Sequence, residues 1–389
     1  MSVGTDVDVI VVGAGPGGAS AARELAADGV DVLLLEREIF PRYKTCGGGI
    51  IGVTRACVPA GAPIREQIYE ASFSLRGARF RTQRSNTPFM STVSRIEFDS
   101  WLVDLAKTAG ATFRDGCGVR SVEQDSRCVR VRASNGEILT SRFLIDASGT
   151  SSRIAKQIGV KLRTIDLGLE LELKDNPESS EWRQRIHLDW GKIPGSYAWV
   201  FPKKDSLTVG VIARKGTPDQ TRHYLADFSK RVGLDSRAVL GTSGHLTRCR
   251  DHRSPLGDGR ILLVGDAAGL LEPWTREGLS FATRSGSLSG RIISQALRED
   301  ARGGAALQLY QDQLAGTLIA EMRAGFRALS AFERLPEAFH LLMAHTSPGW
   351  EYFTRITTGD TNLARATRHS SVRIALGLME RLPTRSSGL

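Results

Sequence analysis

With 389 residues, 41% of them hydrophobic and 24% charged, the chain has the composition of a soluble globular protein and exceeds the size one core usually serves, so two or three sub-domains are expected. No apolar run nears the roughly 18 residues of a spanning helix, and residues 1–7 lack the basic start and apolar core of a signal peptide, which makes the expected location cytoplasmic. The net charge of +10 suits acidic partners, yet no basic tract is interleaved with aromatics and the five dispersed cysteines form no CxxC pair or ligand cluster; nucleic acid, a disulfide framework and a metal are all set aside.

Val9 to Val12 reads as a buried strand that runs into Gly13-Ala14-Gly15-Pro16-Gly17-Gly18. Ser20 to Ala27 then reads as a helix and Val32 to Leu35 as a second strand ending at Glu36-Arg37. In such a unit Gly13 makes the tight turn, Gly15 lets backbone approach a pyrophosphate, and Gly18 lets helix and strand pack closely. The phosphates would sit at the helix N-terminus, with Glu36 on a ribose hydroxyl. A bound dinucleotide is therefore expected.

Phe40 to Gly52 is a turn-rich loop with three consecutive glycines, Gly47 to Gly49, which permit close backbone approach to a flat ligand. Arg42, Lys44 and Cys46 beside them favour a cofactor-edge loop over a merely flexible one. Residues 71–93 read as a strand pair around Arg76-Gly77. A helix follows through Trp101 to Ala106, with Asp99 or Ser100 as N-cap. Thr112 to Asp146 reads as a β-meander with turns near Asp125-Ser126 and at Asn135-Gly136. It ends in Phe143-Leu144-Ile145, followed by Asp146 and small residues, the pattern of a second cofactor turn.

Val160–Leu173, Arg185–Trp190, Tyr197–Phe201 and Leu207–Ala213 read as strands of an antiparallel sheet, with one helix around Gln220 to Val232. Arg260 to Val264 is another buried strand, ending at Gly265-Asp266. The chain reads as helical past Gly278, and residues 305–333 suit one long amphipathic helix. Over Val372 to Leu382, Val372, Ala375, Leu376 and Met379 recur at helical spacing; such a face either covers a core or lies on an anionic membrane.

Three glycine-bearing turns, each after a buried strand, resemble the FAD-binding fold of the aromatic hydroxylase superfamily. Two further motifs are similar to those of the geranylgeranyl reductase family: the Arg42 to Gly49 loop with its cysteine and triple glycine, and Tyr197-Ala198-Trp199-Val200-Phe201-Pro202-Lys203 followed by Val209-Gly210. The resemblance implies an α/β fold with a Rossmann-like FAD-binding domain (1–72, 94–159 and 248–300), a mixed or antiparallel β-sheet substrate domain (73–93 and 160–247) and a helical C-terminal region (301–389).

It also implies FAD contacts from Gly13, Gly15, Pro16, Gly17, Gly18, Glu36, Arg37, Cys46, Gly47, Gly48, Arg95, Asp146, Gly265, Asp266, Glu277, Gly278 and Leu279. Tyr197, Trp199 and Phe201 alternate along one strand, so their rings share a face, either as a substrate wall or as sheet core. Lys203 and Arg276 are the expected anchors for an anionic head group. Arg276 stands where the family usually has glycine.

The implied activity is saturation of isoprenoid double bonds, by hydride from reduced flavin N5 plus a proton. Cys46 is a candidate for proton relay or positioning, although a thiol of pKa about 8.5 is a weak acid for an alkene; a small residue tolerated in a tight loop is the equal alternative. Expected partners are an isoprenoid diphosphate, a prenylated lipid or a quinone, with NADPH or a small redox protein as electron donor and an anionic membrane surface as a further contact. An aromatic hydroxylase or halogenase, and a flavin-free prenyl carrier, are the rival readings.

Overall fold

Four apolar residues in a row can be buried only by a strand covered on both faces, and Val7–Val12 takes the centre of a parallel sheet. The computed structural model describes residues 5–216, 218–301 and 303–379. Val32–Leu35 and Ile138–Asp146 flank the first strand, both parallel to it. Thr112–Arg114 and Ile261–Leu263 extend the parallel arrangement outward on either side. Thr112–Arg114 therefore does not open the meander, which consists of Val119–Gln124, Val129–Ala133 and Ile138–Asp146.

The helix after the glycine turn spans Pro16–Ala27, starting before the expected Ser20. Proline suits that first position because its missing N–H would have no helical partner and its φ is already helical. The helix expected from Asp99 or Ser100 instead starts at Arg95, behind Ser94, and runs to Thr108. Arg95 and Asp99 thus fall one turn apart on the same face.

The second sheet has seven strands in the order Val239–Arg250, Leu162–Lys174, Ser206–Arg214, Tyr197–Pro202, Arg185–Trp190, Glu70–Leu75 and Ala78–Arg84. The hairpin at Arg76-Gly77 lies within it. Met90–Val93 does not; it pairs with Ile64–Ile68 and Gly49–Ile50 in a small third sheet beneath the glycine loop. Strand alternation sorts the large sheet into two faces. Leu173, Val200, Leu207, Val209 and Val211 pack on Tyr224 and Phe228 of the helix Pro218–Arg231. Tyr197, Trp199, Gly168, Glu170 and Ile212 line a cavity on the other face.

Residues 305–333 are not one helix but two, Gly303–Gly316 and Leu318–Arg334. The break comes at Gly316-Thr317, both poor residues for a helix interior. Pro336–His345 and Ser347–Thr358 follow. In the last helix, Ser370–Met379, Val372, Leu376 and Met379 join an apolar cluster with Phe73, Trp190 and Phe332, so these three cover a core. The remainder of that segment, to Leu382, lies outside the described residues.

Candidate active site

The glycine turn and the aromatic strand meet in one cavity of about 1040 Å³, at the upper end of the usual range for small-molecule sites. Gly13 turns with φ of +96°, and a Cβ there would stand 2.5 Å from the Ala147 carbonyl oxygen. Gly15 is not crowded: the nearest atom to a Cβ built on it is Arg42 Nη2, at 3.6 Å, an ordinary van der Waals contact. Pro16, Gly17, Glu36, Arg37, Cys46, Gly47, Gly48, Arg95, Gly265, Asp266, Glu277, Gly278 and Leu279 all line the same cavity. Gly18 does not. A Cβ on it would fall 1.8 Å from the Gly13 carbonyl oxygen, so it packs helix against turn.

The polar arm is held by interlocked charges. Arg95 donates to both oxygens of Asp99, at 2.7 and 2.8 Å. Burial opposes its charge, but Asp99 and the Cys46 side chain more than offset this and raise its pKa. Arg42 reaches across the same carboxylate: Nη1 lies 3.0 Å from Asp99 Oδ2, yet is out of hydrogen-bond alignment and has no other partner. Glu36 accepts from the backbone N–H groups of Ala14 and Glu38, at 2.9 and 3.1 Å. Lys44 Nζ lies 2.9 Å from His245 Nε2, which is 3.8 Å from Asp266 Oδ2. Burial pushes the Asp266 carboxyl up, but His245, Lys44 and Arg95 together keep it below the usual range.

These features fit FAD. The backbone turn at Gly15, with the Arg42 guanidinium beside it, suits a pyrophosphate. Glu36 lines the cavity with a carboxylate that would hold a ribose hydroxyl, and Asp266 lines it with a second carboxylate that would hold the cofactor. Glu277 Oε1 accepts from Ser280 N–H at 2.7 Å and from Thr54 Oγ1 at 3.1 Å, capping the helix Leu279–Arg298. Burial pushes its carboxyl up to about 7.

The other end of the cavity is apolar. The rings of Tyr197 and Trp199 are 5.6 Å apart, and those of Trp199 and Phe201 6.2 Å. All three line the cavity, together with Trp190, Phe332, Met343 and Phe353. Gly210 makes the wall possible, since a Cβ there would lie 2.1 Å from Trp199 Cζ2. Gly47 does the same from the loop side, where a Cβ would lie 2.9 Å from Phe201 and 3.0 Å from Trp199 Nε1.

Besides Gly18, three expected contacts are placed otherwise. Asp146 is fully buried and takes Ser148 and Ser152 as partners, so it fixes its own turn, while Ala147 and Ser148 line the cavity instead. Lys203 Nζ pairs with Glu172 at 3.0 Å and reaches the Cys46 carbonyl at 3.4 Å; it anchors the glycine loop and is not among the cavity-lining residues. Arg276 does line the cavity, but its guanidinium is engaged by Asp166 at 3.1 Å and the Trp274 carbonyl at 2.7 Å. Its backbone has φ of +56°, a conformation glycine adopts freely.

Among the cavity residues not foreseen from sequence are His245 and Glu170. The signal for Glu170 lay in Glu170-Leu171-Glu172-Leu173, an alternation whose acidic side reads most simply as facing solvent. For His245 there was no sequence signal.

A fold with this cradle joined to this apolar chamber defines an FAD-dependent oxidoreductase. A model of FAD-binding domains matches residues 6–188. Digeranylgeranylglycerophospholipid reductase 1 of Methanopyrus kandleri is 32% identical over 336 residues, covering 79% of this chain and 86% of that protein. The chain belongs to the geranylgeranyl reductase family of FAD-dependent oxidoreductases. Among solved structures, a geranylgeranyl bacteriochlorophyll reductase-like protein from Thermoplasma acidophilum superposes with a TM-score of 0.81 at 21% identity, covering 96% of this chain and 99% of that one. A flavin-dependent brominase superposes at 0.76 with 19% identity, covering 96% and 99%. The fold is thus shared between reductases and halogenases.

Proposed function

We propose that this protein saturates carbon–carbon double bonds in the isoprenoid chain of a prenylated lipid. Reductases of digeranylgeranylglycerophospholipid among its relatives support FAD-dependent reduction of prenyl chains. The observation that carries the reading is continuity: one cavity joins the cradle at Gly15 to a chamber walled by Trp190, Trp199, Phe201, Phe332 and Phe353. Such a chamber suits a long apolar tail. With Lys203 and Arg276 already paired, the head group would stay outside.

When bound, FAD would supply the hydride for the alkene. Gly15, Arg42, Glu36 and Asp266 would hold it, with Arg95 and Lys203 keeping the Cys46 loop against it. The aromatic wall would align the prenyl chain and shield it from water, so that proximity carries much of the rate. The reductant is of the NADPH or small-redox-protein class. Among the described residues no helix is long and apolar enough to cross a membrane.

Anaerobic incubation of dithionite-reduced protein with a digeranylgeranyl glycerophospholipid should reoxidise the flavin and give products heavier by two mass units per bond reduced. Reoxidation only on admitting oxygen, or oxygen-dependent addition of hydroxyl or halogen, would overturn the reading.

A further inference from the structure

Leu162–Lys174 turns three carboxyl groups, Asp166, Glu170 and Glu172, to the cavity side of its sheet, and Asp166 is taken by Arg276. They are used differently. Glu172 Oε1 takes Lys203 Nζ at 3.0 Å and Thr208 Oγ1 at 2.7 Å. Glu170 is 5% exposed and lines the cavity, and its Oε2 has no partner. In register, Glu170 lies opposite Gly210, and Gly210 lies opposite Trp199. The Trp199 indole extends over Gly210, where a side chain would collide with it. Glu170 and the aromatic wall therefore occupy one row of the sheet, and the backbone amide of Cys46 faces the Glu170 carboxyl.

A buried carboxyl oxygen left without a partner is costly unless the group keeps its proton or has a use for it. We propose that Glu170 is the general acid of this site, giving its proton to the alkene carbon that does not receive hydride. The proposal rests on the prenyl-reductase reading. In the step the π bond opens; one carbon gains hydrogen with its electron pair from the reduced cofactor, and the other gains the carboxyl proton. The substrate is reduced by two electrons and the cofactor oxidised by two. Glu170 is left as carboxylate and regains a proton from water.

The surroundings agree. Burial pushes Glu170 up to about 7, against the opposing charges of Lys203 and Lys44 and with help from Glu172. Tyr43 and Cys46 face it from the glycine loop. On the neighbouring strand Ser243 is opposite and uncharged, with His245 one step along the same face. A carboxylic acid of this kind still carries its proton near neutrality, as a general acid must.

The test uses FAD-loaded wild type, Glu170→Gln and Glu170→Asp. Glutamine keeps an acceptor for the Cys46 amide but has no acidic proton. Glu170→Gln should bind FAD and accept dithionite electrons as wild type does. Its reoxidation by digeranylgeranyl glycerophospholipid should slow by about 100-fold or more, with aspartate restoring part of the rate. Infrared titration supplies a readout independent of turnover: of the protonated-carboxyl absorption that disappears near pH 7 in wild type, to which Glu277 also contributes, the Glu170 component should be lost in Glu170→Gln. Equal reoxidation rates in wild type and Glu170→Gln, or an unchanged carboxyl band, would overturn the proposal. A wild type that binds FAD but yields no saturated lipid overturns the reductase reading instead, while the band still decides whether Glu170 holds a proton.

Discussion

Gly210→Ala tests how the aromatic wall is built. The added Cβ would stand 2.1, 2.4 and 2.7 Å from Trp199 Cζ2, Cε2 and Cη2, all inside van der Waals contact. Trp199 is 6% exposed, and Gly47 closes in on its Nε1 from the loop side. The indole therefore has one way to move, into the chamber. Overpacking of this kind costs about 1–3 kcal/mol. The glycine turn that cradles FAD lies on another sheet, so bound FAD per chain should be unchanged while the rate of prenyl-lipid reduction falls. Urea unfolding followed by tryptophan fluorescence measures the loss, and flavin absorbance counts the cofactor. Combining Gly210→Ala with Trp199→Phe removes the colliding atoms, so the double variant should be more stable than the sum of the two singles predicts. Additive effects, or a single variant within about 0.5 kcal/mol of wild type, would refute the reasoning.

Arg276→Gly should relieve a left-handed backbone strain of about 1 kcal/mol but strand the buried Asp166 carboxylate, and breaking a buried pair costs about 3–5 kcal/mol. Urea unfolding should show a net loss that Asp166→Asn largely reverses; a single variant as stable as wild type would show that the pair does not matter. The pH dependence has a definite sign. Burial raises Glu170 from an ordinary 4.5 to about 7, so between these values the unfolded chain releases a proton that the folded chain keeps, and stability falls as pH rises. The shift corresponds to about 3 kcal/mol, with Glu170 raised from 4.5 to about 7. Glu170→Gln should therefore unfold like wild type near pH 4 and be more stable above pH 7; parallel stability curves across that range would contradict the assignment.

The local signals were strongest where backbone conformation is the function. Gly13 and Gly15 are legible because only glycine makes that turn and leaves that cradle open. The alternation of Tyr197, Trp199 and Phe201 put three rings on one face, and the sheet kept them there. Helix ends were less legible. Asp99 looks like a cap, yet it serves as a buried partner to Arg95 and Arg42, because Ser94 starts the helix a turn earlier.

Sequence by itself determined the dinucleotide turn, the aromatic face and the family, since each depends on neighbours close in the chain. Only the tertiary structure decided which side of Leu162–Lys174 faces inward. Its leucines pack under the helix Pro218–Arg231, and its acids turn to the cavity. Alternation fixes that two faces exist; what covers each is set by strands and helices distant in sequence. The same physics gave Lys203 and Arg276 carboxylate partners within the protein. Their partners, Glu172 and Asp166, lie on that strand and become neighbours only when the sheet and the two loops close around the cavity.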